Sequence, residues 1–173
     1  MEVISCLSEM QKSSLQWERE GKKIGFVPTM GSLHQGHLSL IDLVRDQSDL
    51  VILSIFVNPT QFAEGEDLEK YPRELERDLQ LCKEHEVDFV FTPRMEDIYK
   101  ENASTYIVEK SVSEKLCGQF RPSHFKGVTT VCAKLFNLCR PTFVALGQKD
   151  AQQVSVLKRM IEDLHFPIEV IVG

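Results

Sequence analysis

The sequence has no excess of basic residues. It contains 20 Lys and Arg against 26 Asp and Glu in 173 residues, which gives a formal net charge of −6. Proteins that bind nucleic acid by displacing phosphate counterions need a basic face, so we expect no nucleic-acid partner. A small anionic ligand is compatible with this charge, because a few local cations are enough to bind it.

Closely spaced cysteine pairs and long hydrophobic runs are also missing. The five cysteines are scattered along the chain: Cys6, Cys82, Cys117, Cys132 and Cys139. Their odd number and wide spacing indicate neither a disulfide framework nor a zinc site, and we expect a cytoplasmic protein. The N-terminal segment becomes charged before an apolar stretch develops, and no run of about 18 apolar residues follows, so we expect neither a signal peptide nor a membrane span.

Short runs rich in Val, Ile and Phe predict buried strands. They lie at 24–27, 50–57, 87–91, 106–108, 142–146 and 168–172. Apolar residues with helical spacing follow several of these runs, as in Leu38, Ile41 and Val44. This alternation predicts one α/β domain over residues 1–173, with a Rossmann-like, mostly parallel sheet flanked by helices and ligand sites at the carboxyl ends of its strands.

One segment, AEGEDLEKYPRELERD (63–78), is strongly charged. Its simplest interpretation is a solvated loop that leads into an exposed helix with Pro72 at its start. We therefore expect little of the site's chemistry from this segment.

The stretch FVPTMGSLHQGHLSLI (26–41) places His34 and His37 between a predicted strand and a helix that we expect to begin near His37. A helix N-terminus attracts phosphate through its unpaired N–H groups and partial positive charge. With Gly31 and Gly36 allowing close backbone approach, the histidines are placed to hydrogen-bond a nucleotide's phosphates. A structural alternative makes His34 a cap and His37 an ordinary first-turn residue. Zinc ligation is disfavoured, because no acidic or thiol partner stands nearby.

A second stretch, SIFVNPTQF (54–62), puts three polar side chains just beyond a buried strand: Asn58, Thr60 and Gln61. Neutral amides at this place suit recognition of a hydroxyl or carboxylate group. Asparagine before proline is also a common turn, which explains Asn58 equally well. The turn does not require Gln61.

In a third stretch, FVALGQKDAQQ (143–153), a strand runs into Gly147 and a helix begins near Asp150. Lys149 is placed to contact a phosphate, Asp150 to accept from ribose hydroxyls, and Gln153 to face the same cleft one turn later. The alternative makes Asp150 a helix N-cap and leaves the other two side chains at the surface.

Positive charge also concentrates in RPSHFK (121–126), ahead of a predicted helix. Val128 and Val131 lie on one face of that helix, most of which we interpret as core.

The segments PTMGSLHQGH, FVNPTQF, RPSHFKGV and GQKDAQQ resemble, in this order, the motifs of the pantoate:β-alanine ligase family of H-x-G-H nucleotidylyltransferases. The resemblance covers essentially the whole chain, and four motifs in register favour the functional interpretation of His34 and His37. Three departures are visible. Ser123 stands where the family usually has glycine, and Ser32 and Thr60 occupy variable positions.

This resemblance implies an ATP-dependent ligase that joins pantoate to β-alanine through pantoyl adenylate, with Mg²⁺ accompanying ATP and no metal ligands assigned to the chain. It implies a homodimer. The net charge and the missing long apolar runs are the grounds for expecting neither nucleic acid nor membrane as a partner. By the resemblance, His34, His37 and Lys149 are catalytic, and the ATP-binding positions are Met30, Gly31, Ser32, Leu33, His34, Gln35, Gly36, His37, Gly147, Gln148, Lys149 and Asp150. Gln61, Gln153, Val128 and Val131 would bind pantoate and β-alanine.

The same family continues past the point where this sequence ends, into a smaller C-terminal domain that closes over ATP. We therefore expect these 173 residues to bind nucleotide weakly and to form adenylate slowly or not at all. Two alternatives remain: an H-x-G-H nucleotidylyltransferase with another acceptor, and a non-catalytic ligand-binding dimerisation fragment.

Overall fold

The computed structural model describes residues 1–62, 68, 71–121 and 123–173. The strands in this part of the chain are β1 (Glu2–Ile4), β2 (Ile24–Thr29), β3 (Leu50–Ile55), β4 (Phe89–Phe91), β5 (Phe143–Leu146) and β6 (Glu169–Val172). They form one parallel sheet in the order β1-β4-β3-β2-β5-β6. The predicted α/β fold with a parallel sheet is thus confirmed.

Helices cover both faces of the sheet. They are α1 (Leu7–Arg19), α2 (Gln35–Arg45), α3 (Leu75–Glu84), α4 (Met95–Ile98), α5 (His124–Cys139) and α6 (Ala151–Asp163), with 3₁₀ turns at Pro59–Gln61, Leu116–Gln119 and Gln148–Asp150. Phe26 of β2 belongs to a cluster with Phe136 of α5, whereas the adjacent Val27 belongs to a cluster with Ile41 of α2. The central strand is therefore buried on both faces, as its continuous apolar run predicts.

The order of strands in the sheet reverses direction at β2, with β3 and β4 on one side of it and β5 and β6 on the other. Phe26 of β2 is in register with Ile52 of β3 on one side and with Val144 of β5 on the other. The carboxyl ends of these three strands therefore lie side by side at a topological switch point, where open α/β sheets bind their ligands.

One predicted strand, at 106–108, is wrong. The backbone N–H of Ile107 donates to Thr130 Oγ1 at 3.0 Å, and its carbonyl accepts from Thr129 Oγ1 at 2.7 Å. This apolar segment lies against helix α5, whose two threonines satisfy the backbone groups that a neighbouring strand would otherwise pair.

Several boundaries also differ from the predictions. Strand β2 continues through Pro28 to Thr29, α2 begins at Gln35 rather than near His37, and α3 begins at Leu75 rather than at Pro72. The edge strand β1 and the helix α1 were not predicted, because the N-terminal segment is too polar to show a clear apolar pattern.

Candidate functional site

Three loops meet at the carboxyl ends of β2, β3 and β5. They carry the sequence motifs at 30–37, 58–61 and 147–150. Because the strands are adjacent in the sheet, motifs more than a hundred residues apart in sequence lie at one edge. The topology of the sheet thus brings together three of the four predicted stretches, and the fourth joins them through the start of α5, where the Gly127 carbonyl accepts from Asn58.

The loop after β2 contains backbone conformations that only a few residue types adopt readily. Gly31 has φ +83° and Ser32 φ +53°. A Cβ at Gly31 would lie 3.0 Å from both Asp78 Oδ2 and Ile55 Cγ2. Glycine is therefore required at position 31 both for its positive φ and for the space beside these two side chains.

Asp78 of α3 holds this loop. Its Oδ2 accepts the backbone N–H of Ser32 at 2.8 Å, and its Oδ1 accepts that of Leu33 at 2.7 Å. The residue is only 1% exposed, so a buried carboxylate is compensated by two charge-assisted hydrogen bonds. The prediction that residues 63–78 contribute little is wrong for Asp78. Residues 63–67, 69 and 70 of that segment lie outside the described residues.

His34 and His37 form a reciprocal cap at the start of α2. His34 is the N-cap, and its Nδ1 accepts the backbone N–H of Gly36 at 3.1 Å. The backbone N–H of His34 in turn donates to His37 Nδ1 at 3.4 Å. The two rings lie with centroids 4.1 Å apart. The capping alternative is thus correct for His34, and it leaves the second ring nitrogen of each histidine for other partners.

These hydrogen bonds fix the tautomer of both rings. A ring nitrogen that accepts a backbone N–H carries no proton, so the proton of each neutral imidazole sits on Nε2. Burial, as the largest cause, together with the neighbouring His34 and Lys149 lowers the pKa of His37 to about 4, against the opposing effects of Asp78 and Asp150. His37 is therefore neutral at pH 7 and a hydrogen-bond donor through Nε2–H.

The loop after β3 is held by Asn58, which is 1% exposed. Its Nδ2 donates to Gln61 Oε1 at 2.9 Å and to the carbonyl of Gly127 at 3.2 Å. His124 Nδ1 donates to the backbone carbonyl oxygen of Gln61 at 3.0 Å. A Cβ at Gly127 would lie 2.5 Å from the Thr60 carbonyl oxygen. The N-terminal turns of α5 therefore pack directly against the Gln61 loop.

The loop after β5 carries exposed polar groups. Gln148, Lys149 and Asp150 are exposed, and Gln153 is half-buried one turn into α6. Asp150 is the N-cap of α6 but makes no side-chain cap hydrogen bond, so the capping alternative does not explain its carboxylate. Lys149 lowers and Asp150 raises the pKa of His37. A Cβ at Gly147 would lie 3.9 Å from Leu40 Cδ1 of α2, so the start of this loop lies beside the helix that carries the two histidines.

Two predicted substrate-binding residues lie in the core. Val128 is 2% and Val131 6% exposed, and both belong to the apolar cluster beneath α5. A contact of either with substrate stays a prediction.

Gln152 is a residue that the sequence analysis missed beside Gln153. Its Nε2 donates to the Val112 carbonyl at 3.0 Å, and its Oε1 accepts the backbone N–H of Cys117 at 3.1 Å. It therefore ties the segment ahead of α5 to the start of α6. Gln152 and Gln153 are adjacent and chemically identical. The sequence therefore does not show which of them anchors the chain and which is free to contact a ligand.

Comparison with known proteins identifies the family. The family model described as pantoate-beta-alanine ligase matches residues 2–173. The chain belongs to this family. Two similar relatives are the pantothenate synthetases of Thermodesulfovibrio yellowstonii, 51% identical over 172 residues, and of Thermoanaerobacter sp., 52% identical over 171 residues. Each alignment covers 99% of this chain but only 61% and 60% of the respective relative.

Solved structures of the family have the same fold. A pantothenate synthetase from Thermus thermophilus superposes with a TM-score of 0.93 at 43% identity, covering 100% of this chain and 61% of that one. The pantoate-beta-alanine ligase of Francisella tularensis, solved in complex with beta-gamma ATP and beta-alanine, superposes with a TM-score of 0.94 at 38% identity, covering 100% and 66%. The chain thus spans about three fifths of the length of most of these relatives.

In the part of the chain that the structure describes, no helix has the length and hydropathy needed to cross a membrane. All five cysteines are unpaired.

Proposed function

We propose that the protein carrying this chain uses ATP to join pantoate to β-alanine through pantoyl adenylate. The observation that carries the proposal is the pair of Nε2-protonated histidines, His34 and His37, at the start of α2 beside the loop that bears Lys149. Membership of the family and the Francisella complex with beta-gamma ATP and beta-alanine support it.

In the first step, a carboxylate oxygen of pantoate attacks the α-phosphorus of ATP. The bond from that phosphorus to the bridging oxygen breaks, and its electron pair leaves with pyrophosphate. The carboxylate is already a nucleophile, so the step requires alignment and stabilisation of phosphate charge rather than a general base. We assign that stabilisation to the Nε2–H donors of His34 and His37 and to the ammonium group of Lys149.

In the second step, the neutral amine of β-alanine attacks the carbonyl carbon of the adenylate. The carbon–oxygen bond to the phosphate breaks, AMP leaves, and the amine releases its proton to solvent. We assign the pantoyl group to Gln61 and Gln153, which lie in the turn after β3 and in the first turn of α6. Holding one intermediate through both steps reduces its loss to hydrolysis.

We assign ATP to the loops after β2 and β5, at positions 30–37 and 147–150. Mg²⁺ enters with ATP as part of the substrate. Among the described residues, no group of three His, Cys, Asp or Glu side chains is placed to hold a metal ion. The phosphate oxygens would therefore supply much of its coordination, as is usual for Mg²⁺.

We further propose that the protein is a cytoplasmic homodimer. Four large apolar side chains between residues 106 and 120 are exposed, with Phe120 at 83% and Leu116 at 72%. Exposed apolar groups of this size favour a protein interface. Light scattering at low micromolar concentration tests the dimer, and a monomer would contradict it.

The function is tested by two dependences measured on a protein that carries this chain at the full length of its relatives. Pyrophosphate release from ATP should require pantoate, and AMP release should require β-alanine in addition. Pyrophosphate release with another acid in place of pantoate would favour a nucleotidylyltransferase with a different acceptor. Binding of ATP and pantoate without pyrophosphate release would favour a non-catalytic module.

A further inference from the structure

The amide of Asn58 has only one orientation that satisfies its neighbours. Its Oδ1 lies 3.4 Å from the backbone nitrogen of Thr60, 2.9 Å from Thr60 Oγ1 and 2.9 Å from the hydroxyl of Tyr99. A backbone N–H is always a donor, so the atom facing it must be the oxygen. The opposite side of the amide faces the carbonyl of Gly127 at 3.2 Å, which only accepts, so that side must be the NH₂ group.

This orientation determines the orientation of Gln61. The Asn58 NH₂ group is a donor, so the Gln61 atom at 2.9 Å from it must be the carbonyl oxygen Oε1. The Gln61 NH₂ group is then directed to the other side, where one contact is Met30 Sδ at 3.2 Å. A thioether is a weak acceptor, and an NH₂ group has two hydrogens. Gln61 is therefore left with a donor for a better acceptor.

Tyr99 completes the network from outside the motif. Its hydroxyl donates to Asn58 Oδ1, and its ring lies 4.9 Å below the ammonium group of Lys134 and beside Phe56. Burial raises the pKa of Tyr99, so the hydroxyl keeps its proton. It is 41 residues from Asn58 in sequence, and no feature of the sequence analysis pointed to it.

We propose that Asn58 and Tyr99 are positioning residues that orient the Gln61 amide, so that Gln61 presents an N–H donor and not its carbonyl to the substrate. The ligand atom at this position is then an acceptor, a carboxylate or hydroxyl oxygen. The inference rests on the proposed function in taking Gln61 as a pantoate contact.

Calorimetric titration of the chain with pantoate and with ATP tests the proposal in matched variants. Tyr99→Phe should raise the dissociation constant for pantoate between about threefold and tenfold, the range for one lost hydrogen bond, and leave that for ATP unchanged. Tyr106→Phe is the control, because this tyrosine is exposed and packs under Lys126 instead. Unchanged pantoate binding in Tyr99→Phe, or equal weakening of ATP, would overturn the proposal.

The polarity of Gln61 is tested by Gln61→Glu, which keeps the shape and an acceptor for Asn58 but removes the donor. We expect it to weaken pantoate binding at least as much as Gln61→Ala. Pantoate binding at the original affinity would show that the carbonyl, and not the NH₂ group, faces the substrate.

A readout without substrate separates this inference from the proposed function. The side-chain NH₂ resonances of Asn58 and Gln61 should shift in Tyr99→Phe and stay in place in Tyr106→Phe. If the original chain binds no pantoate, the assignment of Gln61 to pantoate fails, while the resonances still decide whether Tyr99 orients the amides. Unshifted resonances would contradict that role.

Discussion

The Oδ1 atom of Asp78 accepts the backbone N–H of Leu33 at 2.7 Å, across 45 residues of sequence. The other oxygen of the same carboxylate accepts the N–H of Ser32. The loop that leads to the two histidines is thus shaped by a charged side chain from helix α3, and its conformation depends on that contact.

Replacing Asp78 with Asn should destabilise the protein and slow adenylate formation. One of the two backbone N–H groups would then face an NH₂ group, and losing a charge-assisted bond in a buried place costs about 1.5–3 kcal/mol. Thermal unfolding and single-turnover pyrophosphate release measure the two effects. Asp46→Asn, at an exposed position after α2, is the control; a loss of stability of the same size there would argue against a specific role of Asp78.

His37→Ala should slow adenylate formation about a hundredfold and change ATP affinity far less, because negative charge builds on the phosphates chiefly in the transition state. The measurement is single-turnover kinetics beside ATP titration, in a protein with the full length of the relatives. His165→Asn is the control, since His165 is exposed and has φ +53°, which Asn tolerates. A full rate in His37→Ala would leave His37 with the capping role alone.

Gln61→Ala and Gln153→Ala should each weaken pantoate binding and leave ATP binding nearly intact. A lost hydrogen bond to substrate costs about 0.5–1.5 kcal/mol. The exposed Gln47 provides a control in Gln47→Ala. If both variants lost ATP affinity as strongly as pantoate affinity, the two glutamines would stabilise the cleft as a whole and would not bind pantoate specifically.

Stability should fall as the pH drops from about 6.5 to about 4, in part because of His37. Burial lowers its pKa to about 4 in the folded state, whereas the unfolded histidine titrates near 6.5. Between these values the unfolded state binds more protons, so unfolding becomes more favourable as the pH falls. Since the ring is partly exposed, we expect about 1 kcal/mol from this group. Denaturant unfolding at pH 7 and pH 4.5 should show a smaller difference in His37→Asn than in the original chain.

Gly127→Ala should destabilise the protein, although alanine is the better helix former by up to about 1 kcal/mol. Its Cβ would lie 2.5 Å from the Thr60 carbonyl oxygen, and such overpacking costs about 1–3 kcal/mol. Gly147→Ala is the control, because the nearest atom to its Cβ is 3.9 Å away. Raised stability in Gly127→Ala would show that the Gln61 loop moves aside without cost.

The sequence predicted five of the six strands seen in the described residues, because these strands are short, mostly apolar runs. The prediction failed at Ile107, whose apolar neighbours indicate a strand although two threonines of α5 satisfy its backbone. An apolar run indicates where a strand could form, and it does not report which group completes the backbone hydrogen bonds.

For the site, the sequence predicted the loops but not the side chains that hold them. His34 and Lys149 stand in recognisable motifs, whereas Asp78 lies in a charged segment of ordinary appearance. Likewise, Tyr99 gives no local signal of its contact with Asn58. Both act on loops at least 41 residues away in sequence, and only the fold brings them there.

The close approach of Gly127 to Thr60 has a consequence for motion. Because the first turns of α5 and the loop after β3 touch without space for a methyl group, and Asn58 bonds across the same contact, the two segments should open together in local unfolding. The backbone amide hydrogens of this loop would then exchange with solvent as slowly as those in the first turns of α5, although the loop lies at the edge of the cleft.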